Sequence, residues 1–137
     1  VTDYDIVYQY IKEQCDKYKV KSIGYDPRFS AYLVPKLEAD GVEMSPMAQN
    51  ITTMNGPTKE FEMQVMRNNI KHDGNRCLRW QVGCSVCYTD VNENKRVVKE
   101  RHENKKVDGV IASIIAMNEY YHCQLNDDDI MLEIFNL

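Results

Sequence analysis

The chain has 137 residues, 43% of them hydrophobic and 28% charged, with a formal net charge of −4 at pH 7. That balance fits a single globular domain spanning residues 1–137 and argues against a disordered chain or a generally basic nucleic-acid binder. No apolar run approaches the ~20 residues of a membrane span and residues 1–20 carry no signal-peptide pattern, so no membrane association is expected.

Helical periodicity opens the chain. Asp5 reads as the cap of a helix over residues 6–18, with Ile6, Val7, Tyr10, Ile11, Cys15 and Tyr18 on one stripe. Val20 to Tyr25 is a short strand, stopped by Asp26-Pro27 because proline biases its predecessor away from helix. A helix over residues 28–39 follows, with Phe29, Leu33 and Leu37 on one face, Gly41 as its stop, and Pro35 predicting a kink or a late start. Val42 to Met44 is a second brief strand.

Asn55-Gly-Pro-Thr58 signals the start of a helix running to Lys71, with Phe61, Val65, Met66 and Ile70 as its apolar side. His72-Asp-Gly-Asn75 is a turn. Strands over residues 78–89 and 95–100 flank a polar hairpin tip, Asp90-Val-Asn-Glu-Asn94. Asp108 precedes a helix over residues 109–121, striped by Val110, Ile111, Ile114, Ile115 and Asn118, and the acidic tail is a short separate helix in which Asp127-Asp-Asp129 reads as a solvated cap. Helices alternating with strands, plus a hairpin, make an α/β domain with a partly parallel sheet.

Five cysteines, an odd number without a signal peptide, fit a reducing cytosol and not a disulfide scaffold. Cys84-Ser-Val-Cys87, with Cys77 and His72 upstream, has the spacing of a zinc knuckle. However, the run from Trp80 to Thr89 reads as strand, where positions three apart face opposite sides, and no second CxxC or HxxxH pair occurs. Zinc is therefore not expected. His72 and His102 are read as turn and surface residues.

Charge is unevenly placed. Residues 95–106 hold six basic and two acidic side chains, against eleven basic and nineteen acidic elsewhere. Such a strip can grip a polyanion, and it can equally be a solvated edge that resists aggregation. Asp26 stands at the carboxyl end of the first strand, where open α/β sheets place ligands, and Asp108 at the start of the last helix. If these carboxylates converge, their hard oxygens suit Mg²⁺ or Mn²⁺; if not, they are an ordinary turn residue and an ordinary cap.

Ile23-Gly-Tyr-Asp-Pro27, followed by Leu37-Glu-Ala-Asp-Gly41, resembles the carboxyl-terminal nuclease domain of tailed-phage large terminases. Gln49, His72-Asp-Gly-Asn75, Leu78-Arg-Trp80, Asp90-Val-Asn-Glu-Asn94 with Lys99, and Lys106-Val-Asp-Gly-Val-Ile-Ala112 continue the likeness in order, across residues 3–121. The resemblance implies a ribonuclease H-like nuclease fold, a mixed sheet flanked by helices. It further implies a metal-dependent endonuclease that cuts concatemeric viral DNA by two-metal phosphodiester hydrolysis during packaging. Asp26 and Asp108 would be the catalytic, metal-binding carboxylates, holding Mg²⁺ or Mn²⁺. Lys95, Arg96, Lys99, Arg101, Lys105 and Lys106 would contact the phosphates of double-stranded DNA. The terminase small subunit and the portal would be partners of the full-length protein, in the cytoplasm of a bacterial host.

The chain also departs from that family. It opens on Val1-Thr2-Asp3 without an initiator Met, and it begins after the antiparallel strands whose first member carries another catalytic Asp. Asp3 and Asp5 precede the first helix and cannot replace that residue. Cys84 stands where relatives commonly carry Asn, and no GxxxxGK[ST] phosphate loop for a packaging ATPase occurs. A fragment with impaired cleavage is the resulting expectation. So is a homo-oligomer formed through the exposed edge of strand 20–26. The alternative is a non-catalytic remnant or interaction module that binds DNA or packaging proteins.

Overall fold

A computed structural model describes residues 2–28, 30–101 and 104–135, with side chains described as far as Leu125. Phe29, His102 and the side chains of Asp127 to Asp129, all read above from the sequence, lie outside the described set. Packing divides the chain into two units, residues 1–47 with 118–137, and residues 48–117.

In the first unit, helix α1 (Tyr4–Tyr18) is capped by Asp3, two residues earlier than Asp5. The Asp3 carboxylate accepts the N–H groups of Asp5 at 3.0 Å and Ile6 at 3.4 Å, satisfying donors that have no partner inside the helix. Asp5 instead accepts from the Lys36 ammonium at 2.7 Å and the Tyr32 hydroxyl at 2.8 Å, and these bonds hold its carboxyl below the usual range. Tyr8 donates its hydroxyl to Asp40, and Lys12 pairs with the same carboxylate at 3.4 Å. These polar anchors set which side of α1 faces α2. Val7, Ile11 and Cys15 are half-buried as the stripe predicts, whereas Ile6, Tyr10 and Tyr18 are left 61–69% exposed.

Strand β1 (Ser22–Tyr25) leads through Asp26-Pro27 to α2 (Leu33–Ala39). The helix starts five residues later than the range 28–39 read from sequence, so Pro35 falls in its first turn, where a missing N–H costs no helical bond. Gly41, at φ 81°, ends it in the left-handed region. Strand β2 (Glu43–Pro46) pairs parallel with β1 in the register Ser22↔Glu43 to Tyr25↔Pro46. Leu37 and Met47 are buried here, and so is Glu119.

The second unit corrects two boundaries. Helix α3 (Ile51–Met66) begins well before Pro57, because the Asn50 side chain accepts from Thr53 N–H at 2.8 Å and caps it there. Pro57 therefore sits inside the helix. The buried face is Met54 and Thr58 followed by half-buried Phe61, while Val65, Met66 and Ile70 are exposed. The expected strand over residues 78–89 is instead helix α4 (Arg76–Gly83) followed by strand β3 (Ser85–Thr89). Asn75 caps α4 by accepting from Leu78 N–H at 3.1 Å, and the Ser85 hydroxyl donates to the Gln81 carbonyl at its far end. Those local bonds override the strand preference of Trp80 and Val82.

Strand β3 pairs antiparallel with β4 (Lys95–Lys99), from Ser85↔Lys99 to Thr89↔Lys95, and α3 packs on β4. At the hairpin tip Asp90 accepts from the N–H groups of Asn92 and Asn94, both at 2.9 Å, and from the Asn94 amide at 3.0 Å. The described strands thus form two small sheets, one parallel and one antiparallel, in place of one mixed sheet. Helix α5 (Asp108–Phe135) runs through the tail without the break expected after residue 121. Val110, Ile114 and Ile115 are buried on the predicted stripe. Among the described residues no helix is long and apolar enough to cross a membrane.

Candidate functional site

Asp26 follows the last residue of β1 in the first unit, and Asp108 opens α5 in the second. Asp26 is half-buried, and one carboxylate oxygen accepts the N–H of Arg28 at 3.0 Å. That bond makes the turn at Pro27, and the second oxygen has no partner among the described residues. Asp108 is exposed, and among the described residues its carboxylate has neither a hydrogen bond nor an ion pair. Both groups offer hard oxygen ligands, the donor type that Mg²⁺ and Mn²⁺ prefer. Among the described residues, no three His, Cys, Asp or Glu side chains gather in a cluster able to hold an ion.

The start of α5 is held from α4. Gln81 Oε1 accepts the Gly109 N–H at 2.5 Å, next in sequence to Asp108. Sequence periodicity does not reveal this contact. The only trace is a glycine following Asp108, since a side chain there would meet Gln81.

The six basic candidates separate into two groups. Lys95 and Arg96 are half-buried and engaged inside their own unit. Lys95 pairs with Glu62 at 3.0 Å, which raises its pKa, and its N–H reaches the Asn55 side chain at 2.9 Å. Arg96 Nη1 donates to the Gln49 carbonyl at 3.1 Å, while its Nε is buried without a partner among the described residues. Lys105 lies 3.7 Å from Glu100. Lys99, Arg101 and Lys106 are exposed, with no ion pair or hydrogen bond from their side chains among the described residues.

The cysteines are free thiols. Cys84 is 1% exposed at the end of α4, whereas Cys87 is exposed on β3, so the CxxC pair is divided between a helix end and a strand. His72 is a turn residue, its Nδ1 accepting from Gly74 N–H at 3.0 Å.

Residues 1–123 match the family described as terminase large subunit, endonuclease domain. Protein YmfN of Escherichia coli (strain K12) is 32% identical over 119 residues, covering 82% of this chain and 26% of that protein. Two crystal structures share the fold. The large terminase of bacteriophage HK97 gives a TM-score of 0.73 at 18% identity, covering 83% of this chain and 24% of that one. The large terminase nuclease of thermophilic phage G20c gives 0.69 at 10% identity, covering 86% and 63%. The chain spans only about a quarter of YmfN and of the HK97 protein. By the match over residues 1–123 and the 32% identity to YmfN, this chain belongs to the endonuclease-domain family of the terminase large subunit.

Proposed function

We propose that this chain is the part of a phage DNA-packaging nuclease that supplies Asp26 and Asp108 as ligands for Mg²⁺ or Mn²⁺ and cuts double-stranded viral DNA. The observation that carries the reading is the state of the two carboxylates. In a nuclease-family chain, Asp26 keeps one oxygen out of its turn and Asp108 stands exposed with no partner among the described residues. Neither carboxylate would have to give up an ion pair among the described residues to take a cation. Bound divalent ions would supply an activated water and stabilise the leaving oxygen of the phosphodiester. The chain's own part is to present hard oxygens and to hold DNA, with Lys99, Arg101 and Lys106 as the phosphate contacts best placed to reach it.

The same reading places the work in the host cytoplasm, alongside a small subunit and a portal that engage the whole protein. It also has this segment cutting weakly by itself, because a two-ion site draws on more than two carboxylates. A strand from a second copy pairing along β1, whose described pairing is with β2, is the proposed route to a homo-oligomer.

Calorimetric titration of Mn²⁺ into the wild type, Asp26→Asn and Asp108→Asn tests the assignment. Weaker binding by each variant supports it. Equal binding by all three points instead to a non-catalytic module that contacts DNA or packaging proteins.

A further inference from the structure

We propose that Gln81 is a positioning residue for Asp108, acting through the backbone of Gly109; the inference rests on Asp108 being a metal ligand. The Gly109 N–H belongs to the first turn of α5, where backbone donors have no partner within the helix. Gln81 Oε1 takes that donor at 2.5 Å. The carboxamide is oriented from its other end, since Nε2 donates to Cys77 Sγ at 3.4 Å one turn earlier on α4. The oxygen is thereby aimed at α5. Both helices belong to the second unit at this point, so the contact is internal to it.

Two further observations make this contact specific. A Cβ built on Gly109 would stand 2.8 Å from Gln81 Oε1 and 3.4 Å from Leu78 Cδ1. A side chain at this position would push the flexible Gln81 carboxamide off the contact. In addition, the Asp108 carboxylate has no hydrogen bond of its own among the described residues. Its placement is inherited from the backbone, and the peptide joining Asp108 to Gly109 is what Gln81 holds. A neutral amide does this without adding a competing anion beside the ligand. Groups that orient metal ligands from behind commonly change metal affinity by about 10–100-fold when removed.

The test is Mn²⁺ titration of ¹⁵N-labelled protein, read as paramagnetic broadening of the Asp108 and Gly109 amide signals. The same samples give the hydrogen-exchange protection of Gly109. In the wild type, Gly109 is expected to be protected and both signals to broaden. Gln81→Leu should lose the protection and raise the Mn²⁺ midpoint about tenfold. Gln81→Glu, which keeps an acceptor oxygen, should restore the protection of Gly109. Gly109→Ala, which crowds the contact from the opposite side, should behave like Gln81→Leu and serves if that variant does not fold. If wild-type broadening vanishes in Asp108→Asn while Gln81→Leu titrates like wild type, Gln81 has no positioning role and the metal assignment stands. If the wild type shows no broadening at these amides, or Asp108→Asn keeps it, the metal assignment fails and this inference falls with it.

Discussion

Ser22 on β1 donates its hydroxyl to Glu119 Oε2 on α5 at 2.6 Å, joining positions 97 apart in sequence. Glu119 is only 9% exposed, one of the two buried polar residues among those described. A carboxyl group out of water is tolerated when a donor meets it, and becomes costly once that donor is gone. Ser22→Ala should therefore destabilise the protein by about 1–3 kcal/mol in urea denaturation. Glu119→Gln leaves an acceptor oxygen for Ser22 and should cost less. Unchanged stability in Ser22→Ala would show that the hydroxyl itself contributes little.

This contact illustrates what the sequence could and could not reveal. Val110, Ile114 and Ile115 are legible as a buried face because apolar spacing reports burial directly. Gly41 and the Asp90–Asn94 tip are legible because turn chemistry is local. The segment around Trp80 is misread because its strand-favouring residues are outweighed by Asn75 and Ser85 at the two ends of α4. Ile6 and Tyr10 are misread because Tyr8 and Lys12 both engage Asp40, a partner distant in sequence. In the candidate site, the types and strand or helix positions of Asp26 and Asp108 are readable. The bond from Gly109 to Gln81 is not, since it depends on how two helices meet.

Acid should loosen the hairpin. The Asn94 amide, the Asn94 N–H and the Asn92 N–H all bond to the Asp90 carboxylate and hold its pKa below the usual carboxylate value. A carboxyl whose pKa is lower in the folded protein stabilises it above the unfolded value of about 3.9, and that contribution fades as pH falls through the folded value. Stability between pH 5 and the acid limit, about pH 2, should thus fall less steeply in Asp90→Asn than in wild type. At pH 7 the same variant should be the less stable one, because its NH₂ confronts donors. Denaturation midpoints at several pH values check both outcomes.

Thr58 offers a gain. It is 4% exposed on the buried face of α3, and its hydroxyl has no partner among the described residues. Valine has the same branched shape and brings no polar atom to bury. Thr58→Val should stabilise the protein by about 1 kcal/mol, since a buried unpaired hydroxyl costs roughly 1–3 kcal/mol. A lower melting temperature for the variant would mean that the hydroxyl is satisfied in solution.

The basic strip can be dissected by salt. Binding to duplex DNA weakens with salt in proportion to the phosphates neutralised, with a slope of about 0.9 per contact. Lys99, Arg101 and Lys106 are exposed and unpaired among the described residues, so each alanine variant should lower that slope by about one unit. Lys95 and Arg96 lie in the same run, but their charges are committed to Glu62 and to the Gln49 carbonyl. Alanine at either position should chiefly reduce the stability of the hairpin on α3, leaving the slope nearly unchanged in the folded protein. Fluorescence anisotropy with a labelled duplex at several salt concentrations, alongside thermal melts, separates the two groups. A full unit lost on Lys95→Ala with no change in melting would reverse the division and place the DNA along β4 itself.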